Sequence, residues 1–156
     1  MKAIVIYASK YGGAAEIASR IAARIDGAVT FKLEQGDEPT LTDFDCVIFG
    51  SSVYGGSFRK EAKIFLQANS DELCTKKLGF FVSAMSESES TAVFKSNVPE
   101  RILTAATAVC SPGGMFDPEK GNFIERLIIK VVTKKSDFVN TINDEKIDDF
   151  IQAMKE

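Results

Sequence analysis

The stretch that decides the fold lies near the N-terminus and reads Ser9-Lys10-Tyr11-Gly12-Gly13-Ala14. An apolar run over residues 3–7 precedes it, and apolar residues recur at helical spacing over residues 14–25. The stretch is therefore predicted to connect a buried strand to an amphipathic helix. Because the first N–H groups of a helix lack partners and its dipole favours negative charge, this junction can bind an anion. The glycines and the serine hydroxyl favour a phosphate, although an ordinary strand-to-helix turn also uses small residues.

Strand and helix patterns alternate along the rest of the chain. Further strands are predicted at residues 29–33, 46–50, 78–83 and 106–111. Helices are predicted after a Ser57 cap, over residues 91–103 with a break at Asn97 and Pro99, and after an Asn143 cap, with one helical turn expected at residues 40–44. This alternation predicts a three-layer α/β/α sandwich around a parallel sheet, and five strands favour the order 2-1-3-4-5. A single domain over residues 1–156 is expected.

Ligands of such sheets bind beyond the carboxyl ends of the strands, where the strand order reverses. Besides residues 9–14, this rule selects the loops after the third and fourth strands, Ser51-Ser52-Val53-Tyr54-Gly55-Gly56 and Ser83-Ala84-Met85-Ser86. Considered alone, Tyr54 is equally well explained as a partly exposed aromatic residue beside a turn, and Met85 as a core residue. The candidate site therefore consists of three loops at one edge of the sheet.

Composition and charge exclude several classes of function. The net charge of −3 argues against a nucleic-acid-binding surface. No apolar run is long enough to span a membrane, and Met1-Lys2 leads directly into the first strand, so we expect no signal peptide and a cytoplasmic protein. The chain has no histidine and no CxxC pair among its three cysteines, so we expect no metal site and no histidine-based catalysis. Redox or transfer chemistry would then require a cofactor.

The first loop resembles the phosphate loop of flavodoxins, which open with an apolar strand, Ser/Thr-x-x-Gly-x-Thr and a helix. Ser9, Gly12 and Gly13 match that pattern in place. Ala14 stands where the family usually has a hydroxyl residue, so the resemblance implies weaker flavin binding rather than none. It also implies a flavodoxin-like fold with FMN as the cofactor, its phosphate held by residues 9–14.

The same resemblance assigns roles to the other two loops. In the second flavin loop of the family an aromatic residue packs on the isoalloxazine ring and a glycine follows, roles that Tyr54 and Gly55 or Gly56 fit. The third loop lacks the aromatic residue that many flavodoxins place on the other face of the ring, and Met85 is an alternative contact there. An open second face would leave the flavin accessible to a substrate. Glu87 and Glu89 would lower the flavin potential if they lay near the ring, although a solvated loop explains them better.

Residues 113–139 exceed what a five-stranded fold needs before its last helix. Within them, residues 122–135 are predicted to form a helix with a broad apolar face, and residues 118–135 carry five cationic and two acidic side chains. This segment resembles the corresponding insertion of menaquinone-dependent protoporphyrinogen dehydrogenases, a flavodoxin-like family, in the pattern Phe-Ile-Glu-Arg-Leu-Ile-Ile-Lys-Val-Val. The resemblance implies a quinone or porphyrin-like substrate. Packing on the sheet or on a second subunit is the commoner fate of such a helix, and peripheral contact with a membrane surface is the alternative.

Three functional hypotheses follow from the sequence. The leading one is FMN-dependent redox chemistry, either as an electron-transfer protein with a redox partner protein or as a small dehydrogenase, with no catalytic acid or base identified. The second is a non-enzymatic interaction module that keeps the fold but binds flavin weakly, which Ala14 favours. The third is a membrane-surface adaptor dominated by the basic helix.

Overall fold

A computed structural model describes residues 1–34, 36–84, 90–116 and 139–156. The strands are β1 (Ala3–Ala8), β2 (Val29–Lys32), β3 (Cys46–Tyr54), β4 (Ser57–Phe58), β5 (Lys77–Ser83), β6 (Ala108–Cys110), β7 (Met115–Phe116) and β8 (Val139–Asn140). The helices are α1 (Gly13–Ala22), α2 (Lys60–Ala68), α3 (Ser70–Leu73), α4 (Ser90–Asn97), α5 (Glu100–Ala105) and α6 (Asp144–Lys155). Within these residues, no helix has the length and apolar character needed to span a membrane.

The main sheet confirms the predicted architecture. Five parallel strands lie in the order β2-β1-β3-β5-β6, which is the 2-1-3-4-5 order once the short β4 is set aside. Ile6 is in register with Phe49, and Phe49 with Phe80, so large apolar side chains align across the centre of the sheet. The strand order reverses between β1 and β3, and the carboxyl ends of these strands therefore form the topological switch point.

Helices cover both faces of the sheet because its central strands are apolar on both sides. On one face, Val47 and Phe49 of β3 join a cluster with α2, α3, α4 and α5. On the other face, Cys46 and Ile48 join a cluster with α1 and α6. The rings of Phe49 and Phe65 stack with centroids 5.5 Å apart. The two clusters pack against opposite faces of the sheet, and this packing holds the carboxyl ends of the strands in place.

Two predicted helix signals are confirmed. The side chain of Asn143 accepts hydrogen bonds from the N–H groups of Glu145 (2.9 Å) and Lys146 (3.3 Å), which makes it the N-cap of α6. The expected break divides the fourth helical pattern into α4 and α5, since Pro99 directly precedes α5.

Three local predictions are wrong. Residues 40–44 form no helical turn; Phe44 N–H donates to the Leu41 carbonyl (3.0 Å) in an isolated turn instead. The third strand continues four residues beyond Gly50, to Tyr54. Ser57 does not cap a helix, because Gly55 and Gly56 reverse the chain and Ser57 pairs with Tyr54 in an antiparallel hairpin. Helix α2 begins only at Lys60. The short elements α3, β4, β7 and β8 were not predicted.

Candidate functional site

The first loop has the backbone of an anion site. Gly12 immediately precedes α1 with φ of 90°, a left-handed conformation that disfavours residues with a Cβ. Its N–H donates to the Ser9 hydroxyl (3.2 Å), and its carbonyl accepts from Glu16 N–H (3.0 Å). The Ser9 oxygen is thus an acceptor within the loop, while its O–H can still donate to a ligand. The loop therefore presents a serine hydroxyl beside the N-terminus of a ten-residue helix.

Gly13 brings the first loop against the end of β5. A Cβ built on Gly13 would lie 2.2 Å from the Ser83 hydroxyl oxygen and 3.1 Å from the Met115 backbone nitrogen. A methyl group at position 13 would displace the Ser83 hydroxyl and crowd the Met115 backbone, whereas hydrogen lets α1 begin close to Ser83. Ala14 is fully buried in the cluster beneath α1, and its methyl group adds no polar group to the loop.

Two serines after Gly50 have different functions. Ser51 is fully buried; its hydroxyl donates to the Ser52 carbonyl (2.9 Å) and accepts from Arg59 N–H (3.1 Å), so it fixes the hairpin internally. The Ser52 hydroxyl accepts from Lys10 N–H at 3.2 Å. This bond joins the first loop to the second, as their shared place at the switch point predicts. Val53 pairs with Phe58 and packs against the core.

The tip of the second loop is a two-residue turn beside a half-exposed aromatic ring. Gly55 and Gly56 have φ of 59° and 76°, and a Cβ on either would contact nothing within 4 Å. The positive φ, rather than crowding, therefore favours glycine at both positions. The ammonium of Lys10 lies 5.4 Å from the centroid of the Tyr54 ring and 5.5 Å from that of Tyr11. Tyr54 thus lies beside the first loop.

Asn97 holds this turn and was not identified as a site residue from the sequence. The residue is only 8% exposed. The side-chain oxygen accepts from Phe58 N–H (2.9 Å), and the side-chain nitrogen donates to the carbonyls of Gly56 (2.9 Å) and Val93 (2.8 Å). The sequence signal was a polar residue beside the apolar positions of a helix, which we interpreted only as a break. In the structure it ties α4 to the β3–β4 hairpin.

The third loop is described only at its beginning. Ser83 is almost fully buried beneath Gly13, and Ala84 N–H donates to the Gly113 carbonyl (3.1 Å). Met85 and Ser86 lie outside the described residues, as do Glu87 and Glu89. Of the third loop, the structure therefore places Ser83 against the first loop and Ala84 against residue 113.

The C-terminal addition is described at its two ends. Met115 and Phe116 of β7 pair antiparallel with Asn140 and Val139 of β8. Thr141 strengthens the junction: its N–H donates to the Gly114 carbonyl (2.8 Å) and its hydroxyl accepts from Gly114 N–H (3.1 Å). Because Met115 also approaches Gly13, the addition leaves and rejoins the fold at the candidate site. The predicted helix over residues 122–135 and its basic residues lie outside the described residues.

A charged cleft adjoins Ser9. A cavity of about 280 Å³ is lined by Ser9, Lys32, Leu33, Glu34, Arg59 and Glu61. Arg59 pairs with Glu61 at 2.6 Å, and Lys32 with Glu34 at 3.4 Å. Burial is the largest single influence on Glu61 and raises its pKa, but the hydrogen bond from Arg59, a backbone hydrogen bond and the charge of Arg59 together outweigh burial, and the pKa is lowered. The two cations that line this cleft, Lys32 and Arg59, are therefore partly neutralised by their carboxylate partners.

The chemistry available to the site is binding and orientation rather than proton transfer by histidine. The sequence has no histidine. Across the described part of the chain, no group of three or more cysteine, aspartate and glutamate residues is arranged to hold a metal ion. The site combines the N-terminus of a helix with a half-exposed tyrosine beside a glycine turn, features suited to a ligand with a phosphate and a flat ring.

Comparison with solved structures supports the same fold. Oxidised flavodoxin 2 from Bacillus cereus superposes with a TM-score of 0.62 at 23% identity, covering 99% of this chain and 98% of that one. A flavodoxin from Streptococcus pneumoniae TIGR4 gives 0.61 at 16% identity, covering 99% and 98%. A flavoprotein in complex with FMN from Lactobacillus acidophilus NCFM gives 0.57 at 14% identity, covering 70% and 92%. The TM-scores establish likeness of fold, and at these identities they establish the fold alone.

Comparison with known protein families shows which family the chain belongs to. A search of curated proteins gives no match. Residues 4–140, however, match the family described as flavodoxin domain, and this range runs from β1 to the end of β8. The matched range contains all three loops of the candidate site and the C-terminal addition up to the end of β8. The chain is a member of the flavodoxin domain family.

Proposed function

We propose that this chain binds FMN at the switch point between β1 and β3 and functions as a flavin-dependent redox protein. The observation that carries the proposal is the junction of the first two loops: the Ser9 hydroxyl and Gly12 lie at the start of α1, and Lys10 N–H joins them to Ser52. A phosphate would accept from Ser9 and from the first N–H groups of α1. The FMN bound to the Lactobacillus acidophilus flavoprotein supports the choice of cofactor.

The residues of the second loop fit the ring of that cofactor. Tyr54 offers a half-exposed aromatic face next to a turn that has no side chain at Gly55 or Gly56. A flat ring could therefore approach the backbone of the turn while it packs on the tyrosine. When bound, FMN supplies the electron chemistry. The chain binds the phosphate, orients the ring and fixes the turn through Asn97.

We propose that residues 1–156 form one domain. Within it, the C-terminal addition indicates the substrate and the partner. Its two ends meet beside Gly13, which supports a role at the same site. The basic and apolar residues 122–135 favour a quinone or porphyrin-like substrate, or a redox partner protein, that binds at this edge of the sheet.

Changing Lys130, Lys134 and Lys135 together to glutamate should leave FMN affinity unchanged. Loss of salt-sensitive association with anionic liposomes would support membrane contact, and a wild type that ignores such liposomes would leave packing or dimerisation.

A second candidate function is an interaction module with weakened flavin binding. The specific observation in its favour is Ala14, whose methyl group is fully buried where the family pattern has a hydroxyl. The loop would then bind phosphate through Ser9 and backbone donors alone. A chain purified without flavin that also binds no added FMN would favour this candidate.

Ser9→Asp tests the proposal, with Ser19→Asp as the matched control. Both substitutions add one negative charge to the same region of the chain, but Ser19 lies exposed along α1 rather than at its start. A carboxylate at position 9 would face the phosphate inside a set of donors, so the Kd for FMN should rise at least about tenfold. Ser19→Asp should bind like the wild type. Equal affinity of all three proteins for FMN would show that the phosphate is not held by this loop.

A further inference from the structure

Lys10 lies where the first and second loops meet. Its N–H donates to the Ser52 hydroxyl (3.2 Å), and its ammonium lies over two aromatic rings, 5.5 Å from the centroid of Tyr11 and 5.4 Å from that of Tyr54. One residue thus connects both loops through its backbone and again through its side chain.

The two rings locate the ammonium of Lys10. A lysine side chain at the surface normally samples many rotamers, and attraction to an aromatic face restricts it. Tyr11 is buried and belongs to the first loop, whereas Tyr54 is half-exposed and belongs to the second. The positive charge is consequently held between the loop proposed for the phosphate and the residue proposed for the ring.

We propose that Lys10 places this positive charge beside the flavin ring and so favours the reduced flavin over the oxidised one; this rests on the proposed FMN site. The oxidised ring is neutral. Uptake of two electrons and one proton, supplied in the experiment below by dithionite and water, converts it into a monoanion. A neighbouring ammonium attracts that anion and leaves the neutral ring almost unaffected.

The positive charge of the Lys10 ammonium gives the effect a defined direction. Removing the ammonium withdraws one positive charge from the site, and the reduced flavin must then bind less tightly relative to the oxidised flavin. Neighbouring unit charges at a protein surface change an equilibrium by roughly tenfold. For a two-electron couple, a tenfold change in the ratio of the two dissociation constants is a shift of about 30 mV in midpoint potential.

The chain offers a matched control for this substitution. Lys2 also places its ammonium over an aromatic ring, 5.9 Å from the centroid of Phe44, but it lies before the amino end of β1, and its N–H donates to Asp45 (3.0 Å). Lys2→Met and Lys10→Met therefore make the same change in net charge and in side-chain chemistry at opposite ends of the same strand. Lys10→Arg keeps the charge at the site.

The experiment measures the midpoint potential of each variant at saturating FMN by dithionite titration, together with the Kd of the oxidised form for FMN and riboflavin. Lys10→Met should lower the potential by about 30 mV, while Lys2→Met and Lys10→Arg stay close to the wild type. An unchanged potential in Lys10→Met would overturn the inference. If that variant also bound FMN more weakly but riboflavin as tightly as the wild type, the charge would act on the phosphate alone. A wild type that binds no FMN would instead overturn the proposed function.

Discussion

Removing the Asn97 side chain should destabilise the chain out of proportion to its size. Asn97→Ala abolishes three hydrogen bonds, those to Phe58 N–H and to the Gly56 and Val93 carbonyls. Phe58 is buried, so a water molecule cannot readily replace the Asn97 oxygen as the acceptor for the Phe58 N–H. Three hydrogen bonds of about 1 kcal/mol each give a loss of about 3 kcal/mol in the free energy of unfolding.

Asn69→Ala is the control for this prediction. Asn69 donates one side-chain hydrogen bond, to the Phe65 carbonyl (2.9 Å), so its loss should cost only about 1 kcal/mol. Urea denaturation of the flavin-free proteins measures both values. Asn97→Asp should be at least as damaging as Asn97→Ala, because a carboxylate oxygen would replace the donor that faces two carbonyls. Equal losses in Asn97→Ala and Asn69→Ala would refute the assignment of Asn97 as the tie between α4 and the hairpin.

Three further predictions concern the packing, charge and thiols of the described residues. Gly13→Ala should lower the unfolding free energy by about 1–3 kcal/mol through overpacking, and Ser83→Ala in the same chain should restore part of it; additive losses in a double-mutant cycle would contradict the close approach. Glu61→Gln should be less stable than the wild type at neutral pH, because the pKa of Glu61 is lowered against the effect of burial, chiefly by Arg59; in urea titrations the difference should shrink as the pH falls below the ordinary glutamate pKa and disappear only below the lowered pKa of the folded protein, where the native carboxylate is also protonated. Burial raises the pKa of the Cys110 thiol to about 12, so iodoacetamide should label it only after unfolding, as mass spectrometry can show.

The sheet was predictable because its signals are local. The apolar runs of β1, β3 and β5 and the helical spacing of α1 each occupy a few consecutive residues. The alternation of these elements then fixes a parallel sheet, and the short connections restrict the strand order. The Asn143 cap was predictable for the same reason, since its partners Glu145 and Lys146 follow directly in sequence.

The second loop shows where local patterns competed. Ser57 could serve as a helix cap, whereas Gly55-Gly56 favours a two-residue hairpin turn. The hairpin prevails because Tyr54 and Ser57 pair across it and Phe58 becomes buried in the core. The same pairing extends β3 beyond Gly50, so residues expected in a loop continue the strand.

Contacts between residues that are far apart in the sequence could not be predicted from local sequence patterns. Asn97 bonds to Phe58 and Gly56, which precede it by 39 and 41 residues. The approach of Gly13 to Ser83 likewise joins the first loop to the end of β5. Nothing in the local sequence of either residue specifies these partners, since they depend on how the finished sheet aligns its loops.

The phosphate role of residues 9–14 is tested most directly by titrating the flavin-free chain with FMN, riboflavin and FAD in a calorimeter. Riboflavin has the same ring as FMN but lacks the phosphate, so the difference in affinity isolates the contribution of the first loop. Charge-assisted hydrogen bonds from Ser9 and the start of α1 should make FMN bind at least about tenfold more tightly than riboflavin. FMN should also bind more tightly than FAD, because the sequence contains no dinucleotide-binding fingerprint at this loop. Equal affinity for FMN and riboflavin would contradict a phosphate site at the start of α1.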